Sequence, residues 1–110
     1  MKLPNCKNVV IPKEKLDYLL SLTHPEGKSK AKAFRGWGFS DLNIEKLEKE
    51  LRKLASIRKI VSIISTQYGV KYVVHGKIQV PRGGGRKIKT IWIVLVDQRN
   101  PRFVSAYPLK

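Results

Sequence analysis

Side chains at five positions of this 110-residue sequence supply the groups that metal-free phosphodiester chemistry needs. They are His24, Lys30, Arg102, Ser105 and Tyr107. Histidine can transfer protons near neutral pH, and a positioned ammonium or guanidinium stabilises negative charge that develops on a phosphate. A serine or tyrosine hydroxyl can hold a phosphate oxygen or supply a proton. These residue types together predict a site that binds and cleaves a phosphate ester.

Lys30 differs from the other lysines in its spacing. It precedes Phe34 by four positions and Trp37 by seven, on the apolar stripe of a short predicted helix. A lysine on such a stripe either extends its charged end along the stripe to water or holds its ammonium beside the sheet. The second interpretation makes Lys30 a residue that stabilises charge on a phosphate.

The two histidines have different settings. His24 precedes Pro25 in a loop that leads into a basic helix, and it is either a proton-transfer residue or an exposed loop side chain. His75 falls inside a predicted strand, and we interpret it as an ordinary residue on the sheet surface.

The last strand carries three of the candidates. Regular alternation places Phe103, Ser105 and Tyr107 on one face and Arg102, Val104 and Ala106 on the other. One interpretation is that Ser105 and Tyr107 both contact phosphate. The other is that Ser105 is a small residue in a tight space and Tyr107 is a side chain that closes the core.

The charge of the chain points to an anionic partner. There are 23 lysines and arginines against 8 aspartates and glutamates, a net charge of +15. No acid occurs between Leu51 and Val96. A solvated basic surface is the alternative to a phosphate-binding face, whose affinity would fall with salt. The predicted nucleic-acid-binding residues are Lys28, Lys32, Arg35, Lys71, Arg82, Arg86, Lys87, Lys89 and Thr90.

Composition makes several classes improbable. Cys6 is the single cysteine, and with no local cluster of cysteine and histidine we expect no metal and no cofactor. No apolar run approaches the length of a membrane-spanning helix, and the N-terminus lacks the apolar core of a signal peptide. We therefore expect a cytoplasmic protein with no membrane partner.

Apolar periodicity predicts how these residues are positioned. The first half has helical spacing and the second half has strand patterns. The predicted helices are Pro12 to Leu22, Ser29 to Trp37 and a third from a cap at Ser40 or Asp41 to about Ile57. The predicted strands are Lys59 to Gln67, Val70 to Val80, Arg86 to Asp97 and Arg102 to Tyr107.

This order of elements predicts an α+β fold. About three N-terminal helices would pack on one face of a four-stranded antiparallel meander. We expect a single domain over residues 1–110, with a helical half at 12–57 and a sheet half at 59–108. The run Gly83 to Gly85 is either a flexible hairpin loop or a cradle of backbone amides for phosphate.

Several segments resemble an uncharacterised bacterial domain family. They are His24-Pro25-Glu26-Gly27-Lys28-Ser29-Lys30-Ala31, Tyr68-Gly69-Val70-Lys71-Tyr72, Lys89-Thr90-Ile91-Trp92 and Pro101-Arg102-Phe103-Val104-Ser105-Ala106-Tyr107-Pro108. Members of that family are small stand-alone proteins or the C-terminal tips of polymorphic and contact-dependent toxins. Among the candidates, the resemblance touches His24, Lys28, Lys30, Lys71, Thr90, Arg102, Ser105 and Tyr107. The chain departs from the family pattern at His75 and at the glycine-rich loop.

The element order also resembles the barnase–EndoU–colicin–RelE ribonuclease superfamily at the level of the fold. This resemblance implies a metal-independent, toxin-like endoribonuclease that acts on tRNA or mRNA. Two alternatives remain open. One is a non-catalytic nucleic-acid-binding module, and the other is a partner in a toxin–antitoxin-type complex, in which an acidic antitoxin or immunity protein neutralises the basic face.

Overall fold

The helices come first in the chain and the strands follow. The computed structural model describes residues 1–23 and 28–109, and in these residues three α-helices precede one four-stranded sheet. The helices are α1 (Lys13–Leu19), α2 (Lys28–Gly36) and α3 (Ile44–Ile57), and short 3-10 helices lie at Cys6–Asn8 and Asp41–Asn43. The strands are β1 (Ile60–Ser65), β2 (Gly69–Gln79), β3 (Gly85–Leu95) and β4 (Arg102–Pro108).

The sheet is an antiparallel meander. Its strand order is β1-β2-β3-β4, so each strand pairs with its neighbour in sequence. The predicted α+β fold is confirmed. The observed elements begin and end within a few residues of the predicted bounds. The largest differences are that α1 ends at Leu19 and not at Leu22, and that α3 begins at Ile44 because Ser40 caps the preceding 3-10 helix and not α3.

Helix α3 covers one face of the sheet. Ser40 starts this part of the chain with a capping box, in which its side chain accepts from the Leu42 amide and its own amide donates to Asn43 at 2.7 Å. The buried stripe of α3 continues to Leu54, which lies against Gly76 of β2. A Cβ at position 76 would lie 2.9 Å from the Leu54 side chain, so a glycine is needed for this close packing.

Strand register divides the sheet residues between two faces. Val74, Thr90 and Ala106 are opposite one another on β2, β3 and β4, and all three are fully buried. We call their face, which α3 covers, the inner face. Their sequence neighbours point the other way, because successive strand residues alternate. The outer face therefore carries His75, Lys89 and Tyr107, with His75 opposite Lys89 and Lys89 opposite Tyr107.

Strand β4 contains a bulge that changes which residues share a face. Trp92 is opposite Phe103 while Ile91 is opposite Ser105, so Val104 is an extra residue in β4. Phe103 is buried on the inner face, with its ring centroid 5.3 Å from that of Trp92. The alternation predicted for this strand is therefore wrong: Arg102, opposite Ile93, lies on the outer face with Ser105 and Tyr107.

The glycine run closes the β2–β3 hairpin. Gly83 and Gly84 have φ of 101° and 82°, in the left-handed region that favours glycine. The Gly83 amide donates to the Val80 carbonyl at 2.9 Å, and the Val80 amide donates to the Gly84 carbonyl at 3.1 Å. These bonds within the turn favour the hairpin interpretation of the run over a phosphate cradle.

Candidate functional site: a basic cluster on the outer face

The Lys30 ammonium is held where α2 meets β4. Its Nζ donates a hydrogen bond to the Ser105 hydroxyl at 3.0 Å, and Ser105 is only 8% exposed. The same nitrogen lies 4.3 Å from the ring centroid of Tyr107 and 5.4 Å from that of Tyr18. Attraction to the negative faces of aromatic rings holds a cation at such distances. The ammonium is therefore fixed beside the sheet, as the phosphate-stabilising interpretation requires.

Two ammonium groups contact the ring of Tyr107. Lys89, its neighbour across β3, places its Nζ 4.9 Å from the Tyr107 ring centroid, so both Lys30 and Lys89 contact this ring. Two like charges on one ring repel each other, and that repulsion falls when an anion binds between them. The arrangement favours a ligand that carries concentrated negative charge.

Arg102 adds a buried donor to the same face. Its Nε is buried and has no hydrogen-bond partner in the part of the chain that the structure describes. A buried unpaired donor destabilises a protein by about 1–3 kcal/mol, more when the group is charged. A phosphate oxygen is the type of acceptor that a guanidinium binds best. Arg102 shares its row of the outer face with Ile93 and Lys71, so a second cation lies two strands away.

The strands carry no acidic side chain of their own. The four strands contain no aspartate or glutamate, and their cations are Lys71, Lys77, Arg86, Lys87, Lys89 and Arg102. The two ion pairs found in the described residues join Arg35 to Asp41 and Arg52 to Glu48, away from the outer face. Cations of one sign gathered on one sheet reinforce one another's field, which favours contact with anions.

The remaining predicted binding residues are spread over different surfaces. Lys71, Lys87 and Lys89 lie on the outer face, while Lys32 is exposed on α2. Arg82 and Arg86 are exposed at the end of the β2–β3 hairpin, apart from the Lys30 cluster.

Arg35 has a structural contact that the sequence does not reveal. Its Nε donates to the Leu20 carbonyl at 2.6 Å, at the end of α1, and its guanidinium lies 3.8 Å from Asp41. The side chain thus joins α1, α2 and the segment before α3. Contacts of this kind favour a structural role for Arg35 over RNA binding.

Thr90 lies in the core and not on the basic face. It is fully buried, its hydroxyl donates to the Val74 carbonyl at 2.8 Å, and it accepts the Trp92 indole N–H at 2.8 Å. Thr90, which we predicted to contact nucleic acid, thus has no exposed surface with which to do so. Its hydroxyl instead satisfies polar groups of the core, as buried polar groups require.

Two predicted residues cannot be placed. His24 lies outside the described residues, as does the side chain of Lys28, whose backbone begins α2. The structure places a different histidine on the outer face. His75 is half-buried on the outer face, directly opposite Lys89. Strand alternation in the sequence already places His75 on the same face as Lys71 and Lys77. Only the register shows that His75 is opposite Lys89, which is opposite Tyr107.

Metal and membrane signals are absent from the described residues. In residues 1–23 and 28–109 no group of three or more histidine, cysteine, aspartate or glutamate residues is placed to hold a metal ion. Over the same ranges, no helix combines the length and the apolar character needed to cross a bilayer.

Comparison with solved structures reveals a close likeness of fold. The chain superposes with a TM-score of 0.76 on a chain of a contact-dependent growth inhibition toxin–immunity protein complex from Klebsiella pneumoniae 342. The two share 22% sequence identity over 96% of this chain and 97% of that chain. A search among curated proteins found no matching sequence. Residues 2–110 match the family described as Domain of unknown function (DUF6883), and the chain therefore belongs to that family.

Proposed function

We propose that this protein is a metal-independent endoribonuclease that cleaves tRNA or mRNA as the toxic component of a toxin system. The observation that carries the proposal is the Lys30 ammonium, held 3.0 Å from Ser105 and against the Tyr107 ring, beside a sheet whose strands contain no aspartate or glutamate. A cation in this position can stabilise the charge that develops on a phosphate during cleavage.

The reaction uses the 2′-hydroxyl of RNA as its nucleophile. The 2′-oxygen loses its proton to a base and forms a bond to the adjacent phosphorus, while the bond from phosphorus to the 5′-oxygen breaks. The leaving 5′-oxygen takes a proton from an acid. The products are a 2′,3′-cyclic phosphate and a 5′-hydroxyl. Side chains can supply both proton transfers and the charge stabilisation.

The cluster contains groups for all of these roles except that of the base. Lys30 and Arg102 stabilise the charge on the non-bridging phosphate oxygens. Ser105 accepts a hydrogen bond from Lys30, which leaves its own hydrogen for a phosphate oxygen. Tyr107 donates the proton to the leaving oxygen, and His24 is the base predicted from the sequence.

A cleavage assay with total tRNA tests this proposal. Purified protein is incubated with and without EDTA, beside the Lys30→Ala variant and a Lys46→Ala control that removes one exposed charge from α3. We expect discrete fragments that persist in EDTA, persist in the control and disappear in Lys30→Ala. Intact RNA that is retarded on a native gel in a salt-dependent way would instead indicate a non-catalytic binding module.

We also propose that an acidic protein covers the outer face when the activity is held in check. Two observations support this: the net charge of +15 and the fold shared with a chain of a toxin–immunity complex. Co-expression with any small acidic protein that a neighbouring gene encodes tests it. A stoichiometric complex that abolishes RNA binding is expected, and a complex that still binds RNA would contradict the proposed surface.

A further inference from the structure

A basic cleft lies beside the Lys30 cluster and is not used by the chemistry above. It has a volume of about 560 Å³, and its lining residues are Arg58, His75, Gly76, Lys77, Lys87 and Leu109. Three cations and a histidine line it, and none of its lining residues is acidic. We propose that this cleft binds a backbone phosphate of the RNA next to the phosphate that is cleaved. The inference rests on the proposed ribonuclease function and adds a second phosphate site to it.

The sheet holds two of these cations in an unfavourable arrangement. Lys77 of β2 and Lys87 of β3 are directly opposite each other in the register. Like charges in such a pair destabilise a sheet. Folding gains nothing from this pairing, whereas an anion bound between the two ammonium groups removes the repulsion.

Glycines shape the walls of the cleft. Arg58 reaches the cleft from the inner side, where its stem lies over Gly76 beside Leu54, since a Cβ at position 76 would be 3.0 Å from the Arg58 Cγ. The Lys77 stem lies over Gly85, where any Cβ would overlap it. The Leu109 amide donates to the Lys87 carbonyl at 2.9 Å and ties the end of the chain to the cleft. The long cationic side chains are thus laid along the backbone and not simply extended into water.

The cleft and the Lys30 cluster share one row of the outer face. His75 lines the cleft and is opposite Lys89, which is opposite Tyr107. Neighbouring strands lie about 4.8 Å apart, so the backbones at His75 and Tyr107 are about 10 Å apart. A single strand that runs along this row can place one phosphate in the cleft and another at the Lys30 cluster. The Lys89 Nζ lies 4.9 Å from the Tyr107 ring centroid, so Lys89 would contact the strand at the Lys30 cluster.

The test uses two double variants. The cleft pair carries Lys77→Gln and Lys87→Gln, and the control pair carries Lys46→Gln and Lys53→Gln. Both pairs remove two exposed lysines, but the control pair lies on α3, away from the outer face. Binding is measured by fluorescence anisotropy with a single-stranded DNA oligonucleotide, which lacks the 2′-hydroxyl and stays intact. We expect the cleft pair to weaken binding roughly tenfold at about 0.1 M salt and to reduce the salt slope by about 1–2. Equal effects in both pairs would overturn the proposal.

A kinetic comparison separates the cleft from the cleavage site. A dinucleoside monophosphate has only the phosphate that is cleaved, whereas a longer RNA also supplies a neighbour for the cleft. The ratio of kcat/KM for the longer RNA to that for the dinucleotide should fall about tenfold in the cleft pair and stay constant in the control pair. Parallel losses on both substrates would contradict a separate phosphate site. If no RNA is cleaved but the binding difference persists, the ribonuclease proposal fails and the cleft remains a phosphate site.

Discussion

The Lys30 ammonium and the Ser105 hydroxyl, 75 positions apart in the chain, lie 3.0 Å from each other at the contact between α2 and β4. This pair joins the helical half to the sheet at the candidate site. If the two side chains act as one unit, their effects on cleavage cannot be independent.

A double-mutant cycle tests this coupling. We expect Lys30→Ala to lower kcat by about 100- to 1,000-fold, the range found when one donor to a developing oxyanion is removed. Ser105→Ala should have a smaller effect, and the double variant should be no slower than Lys30→Ala alone. Cleavage kinetics and urea unfolding are measured for all four proteins. Additive losses would show that Lys30 and Ser105 act separately.

Replacement of Tyr107 by phenylalanine separates its hydroxyl from its ring. Tyr107→Phe keeps the ring that Lys30 and Lys89 contact but removes the proton donor. We expect kcat to fall about 100-fold or more with little change in KM, because general acid catalysis contributes about 10²–10⁴-fold. Steady-state kinetics on a short RNA provide the measurement. A variant with full kcat would leave Tyr107 as a platform for the two lysines only.

Arg102 should lower the free energy of unfolding of the protein but strengthen its binding to RNA. Arg102→Met keeps much of the side-chain volume and removes the buried unpaired Nε. We expect the free energy of unfolding to rise by up to about 1 kcal/mol, because an unsatisfied buried donor is lost. RNA affinity and cleavage should both fall at least tenfold. Urea denaturation and anisotropy on one preparation check both effects, and a loss of stability together with full activity would refute this assignment.

Thr90 should affect stability and not RNA binding. Thr90→Val keeps the shape of the side chain but leaves the Trp92 indole N–H without its acceptor. We expect the protein to lose about 1–3 kcal/mol of stability, the penalty for an unsatisfied buried group. Thr90→Ser keeps the hydroxyl and serves as the control. Equilibrium urea unfolding gives the stability, and weaker RNA affinity of a fully folded Thr90→Val protein would contradict a purely structural role for Thr90.

Local pattern was enough to predict most of the fold. The apolar spacing of Leu47, Leu51 and Leu54 marks the buried face of α3, and the continuous apolar run from Ile91 to Val96 marks β3 next to the middle of the sheet. Each of these signals lies within one element. Element types and order follow from such signals because hydrophobic periodicity reflects burial directly.

The residues that come together at the site are decided by how the helices and strands pack against one another. Arg35 belongs to a basic helix, yet its guanidinium contacts Leu20 and Asp41 from two other segments. His75 resembles an ordinary strand residue until the register places it opposite Lys89. Neither arrangement can be predicted from the spacing of residues in the sequence, because both arise from tertiary packing. Lys30 was the exception, since a lysine on an apolar stripe already indicates an unusual environment.

The bulge at Val104 decides which side chains of β4 the basic face presents. Arg102 and Ser105 are an odd number of positions apart, and they share a face only because Val104 is set aside from the ladder. If β4 ran straight with Val104 kept in the ladder, Arg102 would point toward Trp92 and Phe103 toward the lysines. Deletion of Val104 would instead leave Phe103 directly before Ser105, so that regular alternation keeps Phe103 in the core and Arg102 on the outer face. The core and the basic face therefore tolerate the loss of this one residue but not the straightening of the strand around it.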